Sequence, residues 1–129
     1  MRRANWGRGA AVIVDITEEN FEHEVMESDL PVVIEFHADW CGPCKQMDPV
    51  FRTVADKLDG RVKCGRIDTG TQKRLRIKFC VASLPTVSVV RGESFIDVAD
   101  GLMPADEIVE RIERVLTGEL DSQLLRKMM

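Results

Sequence analysis

The chain has 129 residues, a formal net charge of −4 and 44% hydrophobic residues, enough for one domain with a real core and too few for two. The acidic balance gives no electrostatic reason to bind nucleic acid or anionic lipid, and no apolar run reaches membrane-spanning length. Four cysteines are too few for a disulfide scaffold, and only Cys41 and Cys44 stand at motif spacing.

Residues 1–10 lack periodicity and carry two glycines, which reads as a flexible N-terminal tail. Arg2-Arg3 is followed by only a short apolar stretch, AAVIV, that runs into an acidic segment; no export signal is expected, and a cytoplasmic protein is. AVIVDI reads as a strand. Thr17 then caps a helix over EENFEHEVM, with Phe21 and Val25 on one face. The segment from Val32 to Ala38 is β-rich and nearly all apolar, as expected of a central strand buried on both faces. From Cys41 the pattern turns helical: Met47, Val50, Phe51, Val54, Ala55 and Leu58 form one apolar stripe. Pro43 suits its first turn, Pro49 is expected to kink it, and Gly60 to end it.

RVKCGRID follows as a strand and TQKRLRIKF as a short basic helix. TVSVV and SFIDVA flank the turn RGE, which predicts an antiparallel hairpin. Pro104 opens a last helix that buries Ile108, Ile112, Val115 and Leu116, with Thr117-Gly118 as its stop. The order β-α-β-α-β-α-β-β-α predicts an α/β fold: a mixed central β-sheet of about five strands with helices on both faces. The domain is expected over residues 11–118. Residues 119–129 are expected to be a helical extension or tail, from the spacing of Leu120, Leu124 and Leu125.

The segment ADWCGPCKQM carries the chemistry. Its cysteine pair admits three readings: a structural disulfide, half a zinc site, or a redox couple. Zinc needs further ligands, yet there is no second Cys-x-x-Cys, and His23 and His37 are not at ligand spacing. A permanent disulfide is not expected without an export signal, and its closed loop is very small. The redox reading fits the placement. Cys41 falls at a helix N-terminus, where unpaired N–H groups and the helix dipole favour a thiolate. Cys44, one turn further in, is expected to be the more shielded sulfur.

With FHADWCGPCKQMDPVF, SLPTV, VRGE and DGLMPADEI read together, the chain from about Val12 to Leu116 resembles the thioredoxin family. WCGPC at a strand-to-helix junction, with Leu-Pro-Thr downstream before a hairpin, is a far more specific signal than Cys-x-x-Cys alone. The resemblance implies that Cys41 attacks a substrate disulfide and Cys44 resolves the mixed disulfide, with Gly42 and Pro43 as the intervening pair. It also implies that Pro85 is a cis-proline, and that Trp40, Leu84, Pro85 and Gly101 form the substrate-contact surface. The function implied is a thiol–disulfide oxidoreductase acting on protein disulfides as a monomer. No cofactor or metal is expected beyond the cysteine couple itself. A separate thioredoxin reductase is expected to recharge it, since no Gly-rich dinucleotide fingerprint is present. The alternative is a binding module of the same fold that docks a protein partner without turnover.

Three positions depart from the usual family pattern. Glu35 stands where a buried aspartate is usual, His37 where an aromatic is usual, and Cys64 where a lysine often neighbours the acid. Glu35 is expected to be buried, to titrate above a free glutamate and to take the proton of Cys44. With Cys64 in place of lysine, no counter-charge is expected beside it. His37 is read as a packed core histidine, and Cys64 and Cys80 as buried, inert thiols.

Overall fold

The structure is a computed structural model that describes residues 10–119 and the backbone of residues 126–127. Residues 1–9, and Leu120, Leu124 and Leu125 with the helical pattern read from them, lie outside the described residues. Among the described residues, six strands form one sheet: β1 (Ile13–Asp15), β2 (Val32–His37), β3 (Lys63–Asp68), β4 (Thr86–Arg91), β5 (Ser94–Asp100) and β6 (Arg126–Lys127). Their spatial order is β1-β3-β2-β4-β5-β6. β1 and β2 both run parallel to β3, while β4 pairs antiparallel with β2 and β5. The mixed sheet is therefore as expected, with one additional short strand. At Arg126–Lys127 the backbone pairs antiparallel with Ser94 and Phe95 of β5, where the sequence suggested helix.

β2 is central because its residues satisfy both faces. Val33 packs toward α1 (Gly42–Lys57) and α3 (Ala105–Leu116), in a core with Met47, Phe51, Val54, Ile108 and Ile112. Val32, Ile34 and Phe36 point the other way, toward Phe21, Leu75, Phe79 and Phe95. Phe79 lies at the end of α2 (Lys73–Lys78), and its ring meets those of Phe21, Phe36 and Phe95 at centroid distances of 5.9, 5.1 and 5.0 Å. The two helical layers thus grip opposite faces of one strand, which is what its nearly all-apolar sequence requires.

Local details follow the side chains. Thr17 Oγ1 accepts from the Asn20 N–H at 3.2 Å, and Asn20 Oδ1 accepts from the Thr17 N–H at 2.8 Å, which closes a turn over residues 17–20. The helix that follows has Phe21, not the expected Thr17, at its N-cap, and it is wider than expected: Glu22–Met26 is π-helical, closed by a bond from the Glu27 N–H to the Glu22 carbonyl at 3.0 Å. Pro49 sits inside α1 without interrupting it. α1 ends at Lys57, short of Gly60. α3 ends in paired bonds from Gly118 N–H to Val115 O (3.1 Å) and Glu119 N–H to Arg114 O (2.9 Å), with Gly118 at φ +81°. That left-handed turn suits glycine and satisfies the last carbonyls. A register shift beside Val87 and Ser88 lets β5 turn both Val98 and Ala99 into the same core.

Candidate active site

The pairing directions bring the C-terminal ends of β2, β3 and β5 and the N-terminal end of β4 to one edge of the sheet. The cysteine motif leaves the end of β2 there. Cys41 is the N-cap residue of α1, and its Sγ accepts the backbone N–H of Cys44 at 3.2 Å. A sulfur in that position takes a donor that a helix start leaves unpaired. Cys41 and Cys44 form a disulfide with Cα atoms 5.3 Å apart. Both residues are buried, 5% and 2% exposed, so the expected contrast between an exposed and a covered sulfur is not found. The asymmetry lies instead in helix position: only Cys41 occupies the cap.

The rest of the motif surrounds the pair. Gly42 and Pro43 are exposed in the first turn of α1, and Trp40 is 76% exposed. Ala38, Cys41 and Cys44 form a small buried cluster against which Leu84 packs. The Leu84–Pro85 bond is cis. Its loop is stitched to the end of β5: Gly101 N–H donates to Pro85 O at 2.8 Å, and Ser83 Oγ to Asp100 at 2.5 Å. Trp40, Leu84, Pro85 and Gly101 therefore gather at the sheet edge that carries the disulfide.

Glu35 lies deeper. It is fully buried on β2, on the face that turns toward α1. Burial pushes its carboxyl up from 4.5 to about 7, as expected in direction. The expected absence of a counter-charge is wrong. Register places Arg66 of β3 directly opposite Glu35, and Arg66 Nε donates to Glu35 Oε1 at 3.1 Å. The same guanidinium donates through Nη2 to Asp48 of α1 at 2.9 Å. Arg66 and Asp48 were not singled out in the sequence. The available signal was alternation: Arg66 shares a strand face with Cys64, so it too points at the acid's side of the sheet.

His37, two residues along the same face, is half-buried rather than packed in the core. Burial and then the Arg66 charge hold its imidazole below the ordinary value. Cys64 is buried, and burial pushes its thiol up to about 12, as befits an inert thiol. Cys80 corrects the expectation of two buried thiols: it is exposed, past the end of α2, at φ +53°. Among the described residues, no cluster of three or more His, Cys, Asp or Glu could hold a metal ion, and no helix is long and apolar enough to cross a membrane.

A parallel-centred sheet with a cysteine couple at a strand-to-helix junction, faced by a cis-proline loop, defines a thiol–disulfide oxidoreductase of thioredoxin-like fold. The thioredoxin family model matches residues 12–114. Thioredoxin 1 of Nostoc sp. is 30% identical over 101 residues, covering 78% of this chain and 94% of that protein. Thioredoxin Y2, chloroplastic, of Arabidopsis thaliana is 35% identical over 100 residues, 78% of this chain and 60% of that one. A crystal structure of chloroplastic thioredoxin z superimposes with a TM-score of 0.71 at 28% identity. That match covers 82% of this chain and 96% of the other. The chain belongs to the thioredoxin family and is a thiol–disulfide oxidoreductase. Membership implies, in general terms, protein disulfides as substrates and a reductase as partner. The cytoplasmic expectation is overturned by these matches, among which thioredoxin Y2 and thioredoxin z are chloroplastic proteins.

Proposed function

We propose that Cys41 attacks one sulfur of a protein disulfide and that Cys44 then resolves the mixed disulfide, releasing the reduced substrate. The observation that carries this is the N-cap position of the Cys41 sulfur with its Cys44 N–H donor. Once the couple is reduced, the same donor and the dipole of a 16-residue helix favour thiolate at Cys41. Glu35 takes the proton of Cys44 as it attacks. Support comes from its burial on the face beneath α1 and from a carboxyl poised near 7, where a base works best at neutral pH.

Trp40, Leu84, Pro85 and Gly101 form the surface that receives an extended substrate segment, and Gly42 and Pro43 keep the couple at the helix start. The proposed partners are protein disulfides and a separate thioredoxin reductase, and the couple needs no further cofactor. One chain suffices, since Cys41, Cys44, Glu35 and Arg66 come from a single sheet-and-helix unit.

Insulin reduction with dithiothreitol as electron donor tests this. The intact chain accelerates precipitation of the insulin B chain. Cys41→Ser abolishes it, and Cys44→Ser accumulates a mixed disulfide visible on non-reducing gels. Equal trapping by both variants would overturn the assignment of roles.

A further inference from the structure

Arg66 spans two carboxylates of unlike character. Glu35 is wholly buried, whereas the side chains of Arg66 and Asp48 are 28% and 44% exposed. The guanidinium uses Nε for Glu35 Oε1 and Nη2 for Asp48 Oδ1. Glu35 Oε2 is buried without a hydrogen-bond partner. Leaving such an atom unpaired carries an uncompensated desolvation cost, and a purely structural arginine–carboxylate pair gains most by engaging both oxygens. A stabilising role therefore leaves the open oxygen unexplained. Asp48 stands one helical turn beyond Cys44, so the two share a face of α1. The arginine thus ties the buried acid to the helix face that carries the resolving cysteine.

We infer that Arg66 is a positioning residue for disulfide exchange: it holds Oε1 of Glu35 so that Oε2 stays open to the Cys44 proton, and Asp48 sets how strongly Arg66 acts. This rests on the reading of Glu35 as the proton acceptor. Arg66 and Cys64 face Glu35's side of the sheet from β3, Asp48 and Cys44 from α1, His37 from β2 itself, and the residue paired with Glu35 on β4 is apolar Val87. Cys64 is a neutral thiol, and burial holds His37 toward its neutral form. The charges that act on Glu35 are therefore Arg66, which favours its carboxylate, and Asp48, which opposes it.

In the mixed disulfide, the Cys44 thiol gives its proton to Glu35 Oε2. Its sulfur bonds to the Cys41 sulfur as the bond from Cys41 to the substrate sulfur breaks. The substrate leaves as a thiolate and takes a proton from water. Over the whole exchange the dithiol is oxidised to the Cys41–Cys44 disulfide, and its two electrons reduce the substrate disulfide. Glu35 later returns its proton to solvent.

Stopped-flow reaction of the reduced full-length chain, in a Cys80→Ser background, with 5,5′-dithiobis(2-nitrobenzoate) reads the step. The first release of thionitrobenzoate reports attack by Cys41, and the second reports resolution by Cys44. The pH midpoint of the second phase should move down in Asp48→Asn and up in Arg66→Gln, each by about one pH unit. Arg66→Lys should fall between Arg66→Gln and the parent. Opposite displacements are the signature, because mere loosening of the site moves both variants the same way. Unchanged midpoints, or displacements of one sign, overturn the inference if Glu35→Gln still slows the second phase. If Glu35→Gln leaves that phase unaltered at every pH, the base reading fails and takes the inference with it. Asp48 is at the surface, so Asp48→Asn keeps the test available should Arg66→Gln not fold.

Discussion

Replacing Glu35 by glutamine should make the oxidised protein more stable at alkaline pH and leave it little changed in acid. Glu35 titrates near 4.5 in the unfolded chain and near 7 when folded, because burial opposes its charge more than Arg66 favours it. A carboxyl whose folded value is raised favours the fold while it is protonated. Its contribution is complete below about pH 4.5, falls as pH climbs, and is gone above about pH 7. The gap of about two and a half pH units, at about 1.4 kcal/mol per unit, amounts to about 3 kcal/mol. Glutamine keeps the shape and cannot ionise. Urea unfolding of the parent and Glu35→Gln at intervals from pH 4 to 8 should therefore give a stability difference that grows by about 3 kcal/mol toward the variant and then levels off. A difference that stays flat across this window would show that Glu35 is solvated or fully ion-paired, and the reasoning would be wrong.

Other outcomes follow from packing and exposure. Phe51→Ala, at a fully buried position on α1, should cost about 3–5 kcal/mol in denaturant unfolding, whereas Ile77→Ala on the exposed side of α2 should stay within about 0.5 kcal/mol. Gly65→Ala should destabilise by about 1–3 kcal/mol, because a Cβ there would collide with the Ile16 side chain and come within 3.1 Å of the Val14 carbonyl. Ile16→Ala should relieve part of that cost, seen as a non-additive double-mutant cycle. Iodoacetamide labelling of the native oxidised protein, read by mass spectrometry, should modify Cys80 readily and Cys64 only after unfolding.

Periodicity made most of the fold legible. The stripe from Met47 to Leu58 located α1, and the apolar run at Val32–Phe36 marked the strand that both layers would cover. The cis bond at Pro85 and the contact role of Trp40 were not legible from periodicity; they follow from the family resemblance that the local motif residues carry. What escaped depended on register or on tertiary cover. Arg66 could be matched to Glu35 only by knowing which residues of β2 and β3 stand opposite. The near-equal burial of Cys41 and Cys44 reflects packing by Leu84, some forty residues away. The π-helical segment carries its apolar side chains, Phe21 and Val25, four apart, a spacing shared with an ordinary helix. The exposure of Cys80 follows from where α2 stops, a boundary its sequence marks only weakly.

The strand order also sets a schedule for synthesis. β1 leaves the ribosome before the other described strands of the sheet, yet it lies at the sheet margin beside β3, with β2 on the other side of β3. Its backbone bonds must wait while roughly fifty further residues are made, which takes several seconds at about 5–20 residues per second. Through that interval the emerging β2 segment, nearly all apolar, has neither of its eventual strand neighbours available. The nascent chain is therefore most exposed to mispairing before Lys63–Asp68 emerges, and a chaperone that shields extended apolar segments would be of most use to it then.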